Sequence, residues 1–272
     1  MDTDRPSPLG RRADYQGAYS PDLLYAMPRT EKRGEIGIEG DLPFEGCDVW
    51  TAYELSWLNP AGKPVVAIAE FRVPCTSERI VESKSVKLYL NSFAQTRLAD
   101  VEDVRNILSS DLSRATSSEV TVTLLDSARF ADLTLSEPPG VCVDDIDIAT
   151  DTYTVEPGFL AASGDTGEGR LYSNLLRSNC PETDQPDWGT VSIHYVGPGI
   201  DPAGFLKYVV SFREHQDFHE HCVERMFTDI VDRCTPEKLT VYARYTRRGG
   251  IDINPFRSNF EAAPENVRTA RQ

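Results

Sequence analysis

The chain is short of positive charge: 28 lysines and arginines stand against 43 aspartates and glutamates, for a formal charge of −15. That deficit argues against nonspecific binding to nucleic acid or to an anionic membrane surface, because a phosphate backbone exchanges its counterions only for Lys and Arg. Long hydrophobic runs are missing too. No stretch reaches the length of a membrane span, and Met1 to Arg12 are polar and proline-bearing, without the apolar core of a signal peptide. A cytoplasmic protein is expected. The six cysteines (Cys47, Cys75, Cys142, Cys180, Cys222 and Cys234) form no CxxC pair and no tight secreted-type spacing. That argues against a disulfide framework and suits reduced thiols.

What is present describes a folded protein. With 40% hydrophobic and 26% charged residues over 272 positions, the chain has room for one large domain or two ordinary ones. Residues 1–45 mix Pro, Gly and Arg without sustained periodicity and read as an N-terminal arm with no assigned chemistry. Asp48 to Ser56 and Pro64 to Val73 flank the turn cluster Asn59-Pro60-Ala61-Gly62, which predicts a hairpin. Helical spacing follows over Ser85 to Ala94 and Val101 to Ala115, the latter with Asp100 placed to cap it. Strands are expected at Glu119 to Leu125 and Val141 to Ile148. After a Gly-, Asp- and Thr-rich linker over 150–169, the order repeats: strands at Arg170 to Leu176 and Thr190 to Val196, helices at Pro202 to Phe212 and Phe218 to Arg233, strands at Lys238 to Tyr245 and Ile251 to Asn254. Both halves read ββααββ, an α+β arrangement in which an antiparallel sheet carries its helices on one face. The expected modules are residues 46–149 and 170–272. Gly164, Gly167 and Gly169 have GxxGxG spacing with no strand before them and no good helix after, which argues against a dinucleotide fingerprint.

Candidate chemistry gathers in four places. Ser178-Asn179-Cys180-Pro181 and, seven residues beyond the cysteine, Asp187-Trp188 set a thiol and a carboxylate in a proline-punctuated loop. A thiol becomes a strong nucleophile only as thiolate, with a neighbour to take its proton. The same spacing also admits a structural cysteine and a turn aspartate. Glu82-Ser83-Lys84-Ser85-Val86-Lys87 opens a helix with a carboxylate, a hydroxyl and two cations; Glu82 reads either as a plain cap or as a carboxylate that accepts hydrogen bonds from a purine-like edge. His215, His219, Glu220, His221 and Cys222 invite a zinc reading at i, i+4 spacing, against which stand the absence of HExxH and PCxxC and the reading of a solvated helix face. Arg244, Arg247, Arg248, Gly249 and Gly250 make a basic glycine turn suited to phosphate, or a simple hairpin turn.

In order and in spacing these blocks resemble the NADPH-dependent 7-cyano-7-deazaguanine reductases (QueF) in their long, two-module form: Glu82-Ser-Lys-Ser-Val-Lys-Leu-Tyr89, Ser178-Asn-Cys-Pro181 with Asp187-Trp188, Phe218-His-Glu220 and Tyr245-Thr-Arg-Arg-Gly-Gly250. The resemblance implies tandem tunnelling-fold units and reduction of a nitrile to a primary amine with two NADPH, in queuosine tRNA-modification biosynthesis. It implies Cys180 as thioimide-forming nucleophile, Asp187 as its acid–base partner and His219 as proton relay or anchor. It further implies Val81, Glu82, Ser83, His219 and Glu220 on the deazapurine substrate, Ser83, Lys84, Arg248 and Gly249 on NADPH, no metal, and a homodimer. The competing expectations are a zinc-dependent pterin-type cyclohydrolase of the same fold, using His219, His221 and Cys222, and a noncatalytic purine-binding module.

Overall fold

The computed structural model describes residues 17–181 and 183–272; the first sixteen residues of the expected N-terminal arm lie outside the described residues. In chain order the elements are β1 (Ala26–Pro28), α1 (Thr30–Glu35), β2 (Glu45–Leu58), β3 (Pro64–Pro74), β4 (Arg79–Val81), α2 (Ser83–Asn91), α3 (Val101–Thr116), β5 (Thr121–Asp126), β6 (Val141–Cys142), β7 (Ala162–Asn179), β8 (Pro186–Ile200), α4 (Pro202–Ser211), α5 (His219–Cys234), β9 (Lys238–Tyr245) and β10 (Ile251–Ser258). Two compact units share the chain. One takes the described residues up to 30, then 50–132 and 248–251; the other takes 31–49, 133–247 and 252–272. These bounds differ from 46–149 and 170–272, because each unit borrows short segments from the other half of the sequence.

In the first unit the expected hairpin forms. The Asn59 N–H donates to Lys63 O at 2.9 Å and the Gly62 N–H to Asn59 O at 2.8 Å. Strand β5 adds antiparallel to β3, from Ala67↔Asp126 to Arg72↔Thr121. Helix α3 lies against β5 and buries Val104, Leu108 and Leu112, one turn apart on a single stripe. Asp100 caps it by accepting from the Asp103 N–H at 2.9 Å. Burial of such a stripe, more than intrinsic propensity, is what holds a helix of this length.

The second unit carries β7, β8, β9 and β10 as antiparallel neighbours. Helix α4 packs on β7, and α5 on β9 and β8. The alternating residues Leu239, Val241, Ala243 and Tyr245 are wholly buried beneath α5, as a half-covered sheet requires. The opposite face carries Thr190, His194, Tyr242 and Arg244 around a cavity of 330 Å³.

Two sequence expectations are corrected. The strand expected over Val141 to Ile148 shrinks to Val141–Cys142 and pairs parallel with β7. Asp144 explains the stop: its carboxylate accepts from the Ser173 hydroxyl at 2.6 Å and from the Asn174 N–H at 3.0 Å, at the register shift between Ser173 and Leu176. The chain turns to serve that bulge instead of extending the ladder. The expected linker over 150–169 is also partly strand, since β7 begins at Ala162 and pairs with Ile200.

A buried ionic cluster ties the second unit together. Glu224 of α5 accepts a two-pronged pair from Arg33 (Nε to Oε2 2.9 Å, a terminal nitrogen to Oε1 2.8 Å). Arg257 of β10 bridges the same carboxylate at 2.8 Å and Asp48 of β2 at 2.7 Å.

Candidate active site

The loop between β7 and β8 is a tight return. The Cys180 N–H donates to Gln185 O at 2.9 Å, and Cys180 O accepts from the Asp184 N–H at 3.1 Å. Asp184 takes a left-handed conformation (φ 54°), a turn position that Asp tolerates. The loop is pinned from outside: the Asn179 N–H donates to His215 O at 2.8 Å, and Gln216 Nε2 donates to Asp184 Oδ1 at 2.6 Å. Cys180 is thereby held at the strand end in a half-buried setting.

Asp187 is a strand residue in β8, not a loop residue. It is a register partner of Ser178, and Gly189 two places on is a register partner of Tyr245. Partners in a ladder project from the same face, so Ser178, Asp187 and Tyr245 share the side on which α5 packs. Gly189 is small for a reason: a Cβ there would come within 3.1 Å of the Tyr245 ring. His219, the first residue of α5, completes the arrangement. Its Nε2 lies 3.2 Å from Asp187 Oδ2, and its ring stacks flat on Tyr245 with centroids 3.7 Å apart and 5° between planes. Glu220 follows, 2% exposed. The second unit thus brings Asp187, His219 and Glu220 to the end of the sheet where Cys180 is anchored.

Beneath them lies a second, inert thiol. Burial first, then the nearby Asp217 charge, pushes the Cys222 thiol up, and burial likewise pushes up the phenol of Tyr245. Cys222 is therefore a protonated core residue, whereas Cys180 is half open. The residues of the zinc reading face other partners. His219 Nε2 is turned to Asp187, His221 Nδ1 to Asp217 at 3.1 Å, and Cys222 is buried against Ser178 and Tyr245. Among the described residues no group of three or more His, Cys, Asp or Glu side chains could hold a metal ion. His194 is a structural residue of β8, its ring nitrogens each 2.8 Å from a carboxylate, Glu168 and Glu261.

Asp217 and His215 frame the start of α5. Burial works against the Asp217 carboxylate, but the His221 hydrogen bond and charge, the Phe218 N–H and Lys32 hold its pKa below the ordinary value. Burial lowers the pKa of His215, with Asp217 opposing. The unfolded chain takes up a proton at this imidazole near its ordinary 6.5, where the folded chain resists. His215 therefore contributes stability that is present above 6.5 and lost as pH falls toward its lower folded pKa. A His215→Asn variant is expected to show a flatter decline of melting temperature between pH 7.5 and 5.5 than the parent; an equally steep decline would contradict this.

The remaining candidates belong to the first unit. Glu82 is the cap of α2, its two carboxylate oxygens accepting from the Lys84 and Ser85 N–H groups, both at 2.7 Å. This is the capping alternative, and it fixes the direction of a carboxylate that is 2% exposed. Val81 ends β4 directly before it, and Ser83 and Lys84 open the helix. Gly249 and Gly250 are the two central residues of the β9–β10 turn, with φ of 60° and 80° and paired Arg248 and Ile251 main chains. That is the two-residue hairpin turn for which glycine is the natural choice. A Cβ on Gly249 would lie 3.1 Å from the Lys87 stem. The turn is therefore a bare backbone surface with Lys87 beside it and Arg248 within it, a donor set suited to an anionic group.

Sequence reasoning assigned no role to Ser178, Gly189 or Tyr245. Tyr245 was within reach, because it continues the in-phase alternation Leu239, Val241, Ala243 and so belongs to the helix-covered face.

The fold is α+β, with a carboxylate–imidazole pair, Asp187 and His219, at the end of the sheet from which the Cys180 loop leaves. A family model described as the N-terminal part of the nitrile reductase 7-cyano-7-deazaguanine reductase matches residues 15–124, and a model described as QueF-like protein matches residues 186–264. The NADPH-dependent 7-cyano-7-deazaguanine reductase of Burkholderia vietnamiensis is 54% identical over 269 residues, 98% of each chain. The protein of that name from Azoarcus sp. is 55% identical over 254 residues, 93% of this chain and 90% of the other. The chain belongs to the family of NADPH-dependent 7-cyano-7-deazaguanine reductases.

Proposed function

We propose that this protein reduces the nitrile of 7-cyano-7-deazaguanine to the primary amine of 7-aminomethyl-7-deazaguanine, consuming two NADPH, in queuosine tRNA-modification biosynthesis. The observation that carries the reading is the Asp187–His219 contact at 3.2 Å beside the Cys180 loop, in a chain 54% identical to proteins of that name over nearly their whole length.

The chemistry follows from what each group can do. The Cys180 thiolate adds to the nitrile carbon: a C–S bond forms, one π pair of the C≡N bond moves to nitrogen, and the proton lost by the thiol is delivered there, giving a thioimide. Asp187 and His219 are the proton carriers, since a carboxylate hydrogen-bonded to an imidazole can accept a proton at one step and return it at another. NADPH, held by Ser83, Lys84, Arg248 and Gly249, would supply one hydride for the thioimide carbon and, in a second round, one for the imine, with one proton taken up at nitrogen each time. Between the two, the C–S bond of the hemithioaminal breaks, the electron pair returns to sulfur, and the Asp187–His219 pair again handles the proton. Flat stacking on Tyr245 keeps the imidazole from rotating away during these transfers.

Val81, Glu82, Ser83, His219 and Glu220 are the proposed substrate contacts, with the carboxylates of Glu82 and Glu220 reading the donor edge of the deazaguanine. Ser83, Lys84, Arg248 and Gly249 are proposed for NADPH; the bare Gly249 turn and the cations near it support that assignment. The protein is proposed to be a cytoplasmic homodimer built of tunnelling-fold units, working without a metal and without contacting nucleic acid. Among the described residues no helix is long and apolar enough to cross a membrane.

The test is nitrile-dependent oxidation of NADPH by the purified protein. Two NADPH consumed per amine formed is the expected result; no NADPH oxidation on adding 7-cyano-7-deazaguanine would refute it.

A further inference from the structure

The ring that carries His219 belongs to the last residue of β9, past the point where the ladder to β10 is in register: the paired residues are Ser258↔Thr240, Arg257↔Val241 and Phe256↔Tyr242. At Tyr245 side chains bracket the main chain instead. Its N–H donates to Asn254 Oδ1 at 3.1 Å, and its carbonyl accepts from Gln272 Nε2 at 3.1 Å. Gln272 Nε2 also donates to Asn254 Oδ1 at 2.8 Å, while Asn254 Nδ2 donates to Asp252 Oδ1 at 2.7 Å. On its other side Gln272 Oε1 accepts from Arg244 Nε at 2.6 Å and from the Thr269 N–H at 3.0 Å. Two acceptors thus face the Gln272 nitrogen, and only donors, the Thr269 hydroxyl among them, face its oxygen, so the amide has a single satisfied orientation. Asn254 is wholly buried and Gln272 is 5% exposed, where a lost hydrogen bond is not replaced by water.

We propose that Gln272, acting through Asn254 and the Tyr245 main chain, is a positioning residue that sets the His219 ring against Asp187. The inference rests on the catalytic reading of His219 given above. Tyr245 is the platform on which the imidazole lies, and the amide bracket fixes where that platform stands. A small displacement of a proton-transfer group is costly to turnover while substrate contacts elsewhere are untouched.

The test replaces Gln272 with Met, close in length and volume but unable to make these hydrogen bonds. Rates are normalised to the sites that form the covalent substrate adduct on Cys180, so misfolded chains do not count. The expected result is a fall in kcat of about tenfold or more, with KM for nitrile and NADPH within about twofold, because positioning errors of ~1 Å act on turnover. In a Tyr245→Leu background the same substitution should add less than about twofold, since both changes act through one ring. Unchanged kcat, loss of the adduct itself, or full additivity with Tyr245→Leu overturns the proposal. His219→Gln separates the two levels. If it lowers kcat while Gln272→Met is silent, this inference alone fails; if it is silent, the catalytic reading fails with it.

Discussion

A Cys180→Ala variant is expected to retain fold and ligand binding and to lose nitrile reduction by roughly four orders of magnitude or more, as removal of a covalent nucleophile does elsewhere. The reasoning separates Cys180 from its five fellow cysteines. Cys47, Cys75, Cys222 and Cys234 are buried, and burial pushes up the thiols of Cys222 and Cys234, which keeps them from becoming thiolate. Cys142 is exposed, on the short strand β6. Cys180 alone is half-buried in a pinned loop that follows the Ser178–Asp187 register pair. Its loop contacts are main-chain bonds to Gln185 and Asp184, so alanine should leave the loop intact. Intact-mass measurement after mixing with the nitrile should show a substrate-mass adduct on the parent and none on Cys180→Ala. An adduct that persists in the variant would refute the assignment.

The same residues show what the chain discloses before it is folded and what it does not. The β9 alternation and the period of α3 and α5 are local, and both were legible: β9 runs from Lys238 to Tyr245 as the pattern predicts, and Asp100 caps α3 as its position suggests. The start of β7 was not legible. Residues 162–168 are exposed, so no apolar alternation marks them; pairing across to β8 makes them a strand. The thiol and carboxylate could be named from Cys180 and Asp187, but Asp187 was placed in the loop beside the thiol and lies in a strand. Asp187 sits in β8 and meets His219, thirty-two positions away, because the sheet end and the start of α5 converge. Tyr245 had no visible role, since stacking on an imidazole is a property of packing.

The same limit applies with greater energetic consequence to Glu224, which sequence reasoning passed over. Its partner Arg33 lies 191 positions away and Asp48 lies 209 from Arg257, distances that no periodicity encodes. Glu224 and Arg257 are wholly buried, Asp48 is 1% exposed and Arg33 8%. Glu224→Ala removes the carboxylate between two guanidinium groups and strands both in the interior; breaking a buried pair from one side costs about 3–5 kcal/mol. At about 2–4 °C per kcal/mol for a chain of this size, the melting temperature should fall by roughly 10 °C. Glu224→Gln keeps one acceptor oxygen but loses the charge and turns an NH2 donor toward a guanidinium, so its loss should lie between parent and alanine. Replacing Arg33, Asp48, Glu224 and Arg257 together by apolar residues of similar volume should cost less than Glu224→Ala alone, because the desolvation of all four buried charges is removed along with their attraction. Thermal and urea unfolding of the set would check this order. If Glu224→Ala melted within about 2 °C of the parent, the charges would not be buried as the structure has them. A quadruple variant less stable than Glu224→Ala would instead mean that the ion cluster contributes more than its desolvation costs.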